Sequence, residues 1–201
     1  MRMDLWTTPI LIGRYVRLEP LRMDHADALR AAAADGALWT LRYTGVPGPD
    51  AGEAETYIDA ALAARDAGHA LPFAVFDASD LLIGTTRFYE VDRDVPRVKL
   101  GYTWYAQRVQ RTALNTEAKL LLIDHAFTQW HCEALALETS HENLRSQAAI
   151  ARLGAKRDGV LRAHMRYRDG SVRDTVVFSI LAAEWPELRR GLESKLQKHA
   201  G

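Results

Sequence analysis

The sequence predicts a mixed α/β fold, a mostly antiparallel central sheet with flanking helices, and three observations carry that expectation. Leu71 to Phe76, Leu81 to Tyr89 and Val98 to Tyr105 read as three successive strands with short links, which favours an antiparallel meander. Residues 113–130 are rich in the helix formers Ala, Leu, Lys and Glu and lie between the third of those strands and a short one at Ala134 to Leu137, a strand–helix–strand crossover. Val160 to Arg168 and Val172 to Leu181 flank the turn Asp169-Gly170 and read as a C-terminal hairpin.

The remaining elements follow in order. Arg14 to Leu18 alternates, with Val16 and Leu18 on one face and Tyr15 and Arg17 on the other, the period of a half-buried strand. Asp24 has the position of a cap for a helix over Ala26 to Ala34, with Gly36 as its stop. Asp50 and Glu53 have capping-box spacing ahead of a helix ending near Gly68. In residues 113–130 apolar side chains surround most of the wheel, which predicts a central helix packed on more than one side. Thr139 and Glu142 have capping-box spacing for the helix that runs to Leu153 and stops at Gly154. In the hairpin Val172, Val176, Phe178 and Ile180 share a face, and a last helix from about Glu184 places Trp185, Leu188, Leu192 and Leu196 at helical spacing.

At 201 residues the chain is expected to form a single domain over 1–201 with one full core. Twenty-six basic and 26 acidic residues give zero net charge, without the broad positive field of a dedicated nucleic-acid binder. The stretch Leu120-Leu121-Leu122-Ile123 is far shorter than the roughly 20 apolar residues of a membrane span. Met1 to Trp6 lacks the pattern of a signal peptide, so a cytoplasmic location is expected. A lone Cys132 permits no internal disulfide and reads as a packing residue. His125, His131, His141 and His164 lack paired-ligand spacing, so no metal is expected, and no phosphate-loop or dinucleotide fingerprint occurs.

The chemistry concentrates where a strand feeds a turn that opens the central helix. First-turn amides of a helix have no intrahelical acceptor, which makes them a ready site for phosphate oxygens. Gln110-Arg111-Thr112-Ala113-Leu114-Asn115-Thr116 occupies that place, with Arg111 for charge and Thr112 and Thr116 for hydroxyl donors. Taken alone, these residues are equally an ordinary loop and helix cap.

Leu100-Gly101-Tyr102-Thr103-Trp104, Asn115-Thr116-Glu117-Ala118-Lys119, Asn143-Leu144-Arg145-Ser146, Ala151-Arg152-Leu153-Gly154-Ala155 and Arg173-Asp174-Thr175-Val176-Val177-Phe178-Ser179-Ile180-Leu181 appear in that order. On these motifs the chain, from about Arg14 to Trp185, resembles the RimJ/RimL-like branch of the GNAT acetyltransferases. The resemblance implies the GNAT fold, with a splayed strand pair, and acetyl-CoA as co-substrate. It aligns Gln110 with the start of the coenzyme motif and puts Ala113 where the family has glycine and Asn115 at the second small position, a residue that tolerates left-handed backbone better than most. It also implies that the pantetheine arm pairs with the backbone of Thr103, Trp104 and Tyr105, that Asn143 contacts that arm, and that Ser146 lies near the coenzyme sulfur. Where several members of the branch carry a glutamate, this chain has Lys99, which leaves Glu90 and Glu138 as candidate bases. The implied reaction is acetyl transfer to a primary amine, of a protein N-terminus or a small molecule, by direct attack in a ternary complex. The rival is a non-catalytic acyl-CoA binding or interaction module that kept the fold. The amine pocket is expected between the first two helices and the C-terminal hairpin, and a homodimer through that hairpin or the last helix is compatible with related proteins.

Overall fold

The computed structural model describes residues 7–92 and 94–199, so Met1 to Trp6 lie outside the described residues. Its strands are β1 (Leu11–Ile12), β2 (Val16–Pro20), β3 (Ala70–Asp77), β4 (Leu82–Asp92), β5 (Arg97–Tyr105), β6 (Ala134–Ser140), β7 (Lys156–Arg166) and β8 (Val172–Leu181). The helices are α1 (Ala26–Ala34), α2 (Glu53–Asp66), α3 (Ala113–Thr128), α4 (Leu144–Arg152) and α5 (Trp185–Lys198). One eight-stranded sheet runs in the order β1-β2-β3-β4-β5-β6-β8-β7. Every neighbouring pair is antiparallel except β5 with β6, which the α3 crossover makes parallel. The meander, the crossover and the terminal hairpin expected from the sequence are all present.

The parallel pair is the sheet's opening. Its register covers only Arg97 with Ala134, Val98 with Leu135 and Lys99 with Ala136, yet β5 runs on to Tyr105 and β6 to Ser140. Beyond Lys99 the two strands splay, and one edge of β5 is left without a strand partner.

Successive residues of a strand face opposite sides, and Thr85 and Thr86 show which helix covers which side. The Tyr57 hydroxyl of α2 pairs with Thr85 Oγ1 at 2.8 Å, while Thr86 Oγ1 pairs with Thr103 Oγ1, to which Lys119 of α3 donates. Thus α2, with α1 packed on it, covers one face and α3 the other, where α5 packs on α3. The buried side chains of α3, from Ala113 and Leu114 through Leu122 and Ile123 to Phe127, surround the helix as its apolar wheel demands. Glu117 of the same helix accepts from the Arg14 and Tyr15 amides at 2.9 and 2.5 Å. Gly13 is required beside it, because a Cβ there would collide with the Glu117 carboxylate.

Three helix starts differ from the sequence reading. Asp24 does not cap α1; its carboxylate pairs with Arg22 across the 3-10 turn Met23–His25, and His25 Nδ1 takes the Arg22 amide. Glu53 is the first residue of α2 and reaches back to the Gly48 amide at 2.7 Å, with Gly52, φ 87°, at the cap. Thr139 stays in β6, and Asn143 caps α4 by accepting from the Ser146 amide at 3.0 Å. Asp24 and Glu53 have other partners, the Arg22 guanidinium and the Gly48 amide, and Thr139 is held in the β6 ladder opposite Val176. Cys132 is buried and burial pushes its thiol up to about 11, as suits a packing residue. Among the described residues no helix is long and apolar enough to cross a membrane, and no group of three His, Cys, Asp or Glu could hold a metal ion.

Candidate active site

Opposite Thr86 the strand β5 carries one residue too many. Thr85 pairs with Trp104 and Arg87 with Gly101, so Tyr102 and Thr103 together face Thr86, and Tyr102 takes φ 51°. A bulge of this kind breaks the ladder and re-aims backbone and side chains. It sits just past the last β5–β6 pair, at the mouth of the splay. The side chains of Trp104 and Tyr105 are buried, Trp104 donating to Tyr57 Oη at 3.4 Å, so these residues offer the opening their backbone. Thr103 is half-buried, its hydroxyl engaged by Thr86 and Lys119.

From Tyr105 the chain passes through the 3-10 turn Gln107–Val109 into α3. Gln110 acts as a brace: it donates to the Tyr105 carbonyl at 2.9 Å and accepts from Arg145 at 3.0 Å, tying β5 to α4. The left-handed residue of the turn is Arg111, φ 65°, whereas Asn115 is helical and does not use its tolerance of left-handed backbone. The turn reverses before the helix starts, so the strain falls one residue ahead of the cap. Thr112 caps α3: its Oγ1 accepts from the Leu114 amide at 3.3 Å and donates to the Val109 carbonyl at 2.8 Å. Its single hydroxyl proton is therefore used within the protein. The amides of Ala113 and Asn115 have no acceptor inside the helix. Ala113 and Leu114 turn their side chains into the core, Arg111 is exposed, and the side chains of Asn115 and Thr116 are half-buried.

Across the splay stands α4. Asn143 is half-buried, and its Oδ1 is committed to the cap, which leaves its amide donors outward. The Ser146 hydroxyl makes no hydrogen bond among the described residues. Leu144 is 70% exposed beside them, an unusual position for a leucine at the start of a helix.

The two candidate bases are brought together by the residue that displaced the expected glutamate. Lys99 Nζ lies 2.7 Å from Glu90 and 2.8 Å from Glu138. Burial would lower the Lys99 pKa, but its hydrogen bonds and charge pairing with Glu138 and Glu90 outweigh this and raise it. Glu138 is 12% exposed, on β6 past its last pair with β5, whereas Glu90 is 63% exposed at an irregular end of β4 with φ 47°. Both line a cavity of about 820 Å³ with Lys99, Leu161 and Val177. Tyr89 rises beside them, and a Cβ on Gly101 would stand 3.0 Å from its ring. Burial, then the charge of Glu138, drives the Tyr89 phenol well above its ordinary range, so it stays protonated as a donor.

Two residues near the opening escaped sequence reasoning. Lys119 lies in the apolar layer under α3, and the signal for it was its place on the same helical face as Leu122, Ile123 and Ala126. Arg87 is buried in the middle of β4, flagged only by an arginine between Thr85 and Tyr89 on one strand face.

A family profile described as Acetyltransferase (GNAT) domain matches residues 16–156. A crystal structure from T. thermophilus, described as a provisional acetyltransferase, is 31% identical with TM-score 0.84, covering 96% of this chain and 100% of that one. Among curated proteins, Bacillus subtilis YdaF, provisionally named a ribosomal N-acetyltransferase, is 28% identical over 111 residues, 55% of this chain and 58% of that protein. The chain thus spans little more than half the length of that relative. Mycobacterium smegmatis RimJ in complex with CoA-disulfide shares the fold at 21% identity, with TM-score 0.77 over 93% of each chain. Together with the strand order, the splayed β5–β6 pair and the α3 turn, these matches show that the chain belongs to the GNAT acetyltransferase family.

Proposed function

We propose that this chain, as one domain over 1–201, is an acetyl-CoA-dependent N-acetyltransferase acting on a primary amine, of a protein N-terminus or a small molecule, by direct attack in a ternary complex. The observation that carries the reading is the end of β5–β6 pairing at Lys99 and Ala136, which leaves a free β5 edge leading to the N-terminus of α3. An extended pantetheine arm fits that edge as an added strand against the backbone of Thr103, Trp104 and Tyr105. The unpaired amides of Ala113 and Asn115, the positive end of α3 and the exposed Arg111 suit a pyrophosphate. The outward donors of Asn143 suit the arm's amides, and the free Ser146 hydroxyl suits the departing thiolate. A backbone N–H at the Tyr102 bulge would polarise the acetyl carbonyl, a preorganised donor of the kind that supplies much of catalysis.

An ammonium acceptor must lose a proton before it attacks. Of the two carboxylates, Glu138 is the better placed, being largely buried and on the splayed part of β6, while Glu90 is mostly exposed. Lys99 keeps both in reach of the same cavity.

Calorimetry with acetyl-CoA, together with thiol release over a panel of amines, tests this. Arg111→Glu is expected to weaken coenzyme binding roughly tenfold with little change in melting temperature, as a charge-assisted phosphate contact implies. Glu138→Gln should cut turnover about a hundredfold and leave coenzyme affinity alone. Unchanged affinity in Arg111→Glu would sink the cradle, and coenzyme binding without turnover on any amine would favour the binding module. Ala113 is a poorer probe, since at 6% exposed a larger side chain there strains the core as well.

A further inference from the structure

Arg87 is 8% exposed, yet it forms no ion pair or side-chain hydrogen bond among the described residues. Its guanidinium is held by rings alone, 4.2 Å from the centroid of Tyr102 and 5.4 Å from that of Tyr57. A buried cation without an acid is costly, and ring stacking recovers only part of that cost. The acids on this sheet face do not serve it: Glu90 and Glu138 are both held by Lys99. Nor are its nitrogens sealed away, because among the described residues the buried side-chain polar atoms without a partner are those of Tyr15, His25, Glu55 and Tyr105.

The position explains the opportunity. Arg87 pairs with Gly101, just past the last β5–β6 pair, where the Tyr89 ring lies over the glycine. Tyr102, 53% exposed at the bulge, carries the guanidinium at the mouth of the splay. A planar guanidinium pinned on an aromatic face keeps its edge donors free for a carboxylate.

Resting on the acetyltransferase reading, we infer that Arg87 anchors a carboxylate carried by the acceptor, so that the preferred amines are those with a carboxylate close to the amino group. The carboxylate is either the α-carboxylate of a free amino acid or an acidic side chain beside a peptide N-terminus. The chemistry is the same, and the experiment separates the sources.

Two pairs of acetylated products, titrated calorimetrically into the CoA-loaded protein, read the anchor without turnover. N-acetyl-alanine against N-acetyl-alaninamide tests the α-carboxylate; N-acetyl-Ala-Glu-amide against N-acetyl-Ala-Gln-amide tests the side chain. In at least one pair the acidic member should bind roughly tenfold or more tightly. Arg87→Gln should erase that preference, and Arg87→Lys, which keeps the stem and charge but not the planar fork, should weaken it even if the glutamine variant fails to fold. No preference in either pair, no binding by any of the four, or a preference that survives in the variants overturns the anchor. Acetyl-CoA affinity in the same samples separates the two failures. Lost coenzyme binding in the unaltered protein counts against the acetyltransferase reading, whereas intact coenzyme binding without a carboxylate preference counts against Arg87 alone.

Discussion

Lys119 meets the sheet with one hydrogen bond, donated to Thr103 Oγ1 at 2.8 Å, and burial pushes its ammonium down to about 7. In the unfolded chain the same group holds its proton to about pH 10.4. Between those values the unfolded state binds the extra proton, so stability rises with pH, by at most about 1.4 kcal/mol per unit. Lys119→Met removes that titration and leaves Thr86 and Thr103 bonded to each other at 2.7 Å. The variant is expected to be more stable than the parent near neutral pH, on the order of 2 kcal/mol, with the gap closing toward pH 10. Denaturant unfolding from pH 6 to 10 checks it, and a constant gap would show that the lysine is not titrating in the fold. Residue types of this kind are only half legible in the sequence. Lys119 and Arg87 occupy positions whose periodicity is interior, but periodicity cannot say that a charge stays there without an acid.

At the scale of elements, Glu117 shows how a motif read for one purpose serves another. It belongs to the segment that carried the family resemblance, and it fastens the β1–β2 turn to α3 through the Arg14 and Tyr15 amides. Glu117→Ala leaves both amides unpaired in a closed site and is expected to cost about 2–4 kcal/mol. Thermal unfolding should then fall by roughly 5–15 °C for a chain of this size. A loss under one degree would show that water replaces the carboxylate. Strands and the central helix were legible because alternation and an apolar wheel are local properties. Caps were not, because Asp24 turns to the neighbouring Arg22, Glu53 reaches back to the Gly48 amide, and Thr139 is still paired in β6 with Val176.

Across the whole molecule the face opposite α3 is closed by contacts between distant segments. Arg42, in the connection from α1 to α2, forms a two-pronged pair with Glu142, lies 3.7 Å from Asp169 and stacks 4.4 Å from the Tyr167 ring. Arg168 donates to the Val46 carbonyl of the same connection at 2.5 Å. The connection between the first two helices is thereby strapped to the hairpin of β7 and β8. Arg42→Ala should leave the melting temperature nearly unchanged, because the ion pairs are at the surface, while amide exchange over residues 36–50 accelerates several-fold. Exchange unaltered in that segment would mean that Arg168 holds the strap alone.

The sequence by itself determined the layer pattern, the meander, the crossover helix and the place of the turn that opens α3, since each follows from neighbours along the chain. Only the tertiary structure decided that Lys99 draws Glu90 and Glu138 onto one ammonium, that Arg87 is buried without an acid, and where β5 and β6 part company. Those facts depend on register and on strands far apart in sequence. A shift of one residue would turn each of these side chains to the other face of the sheet.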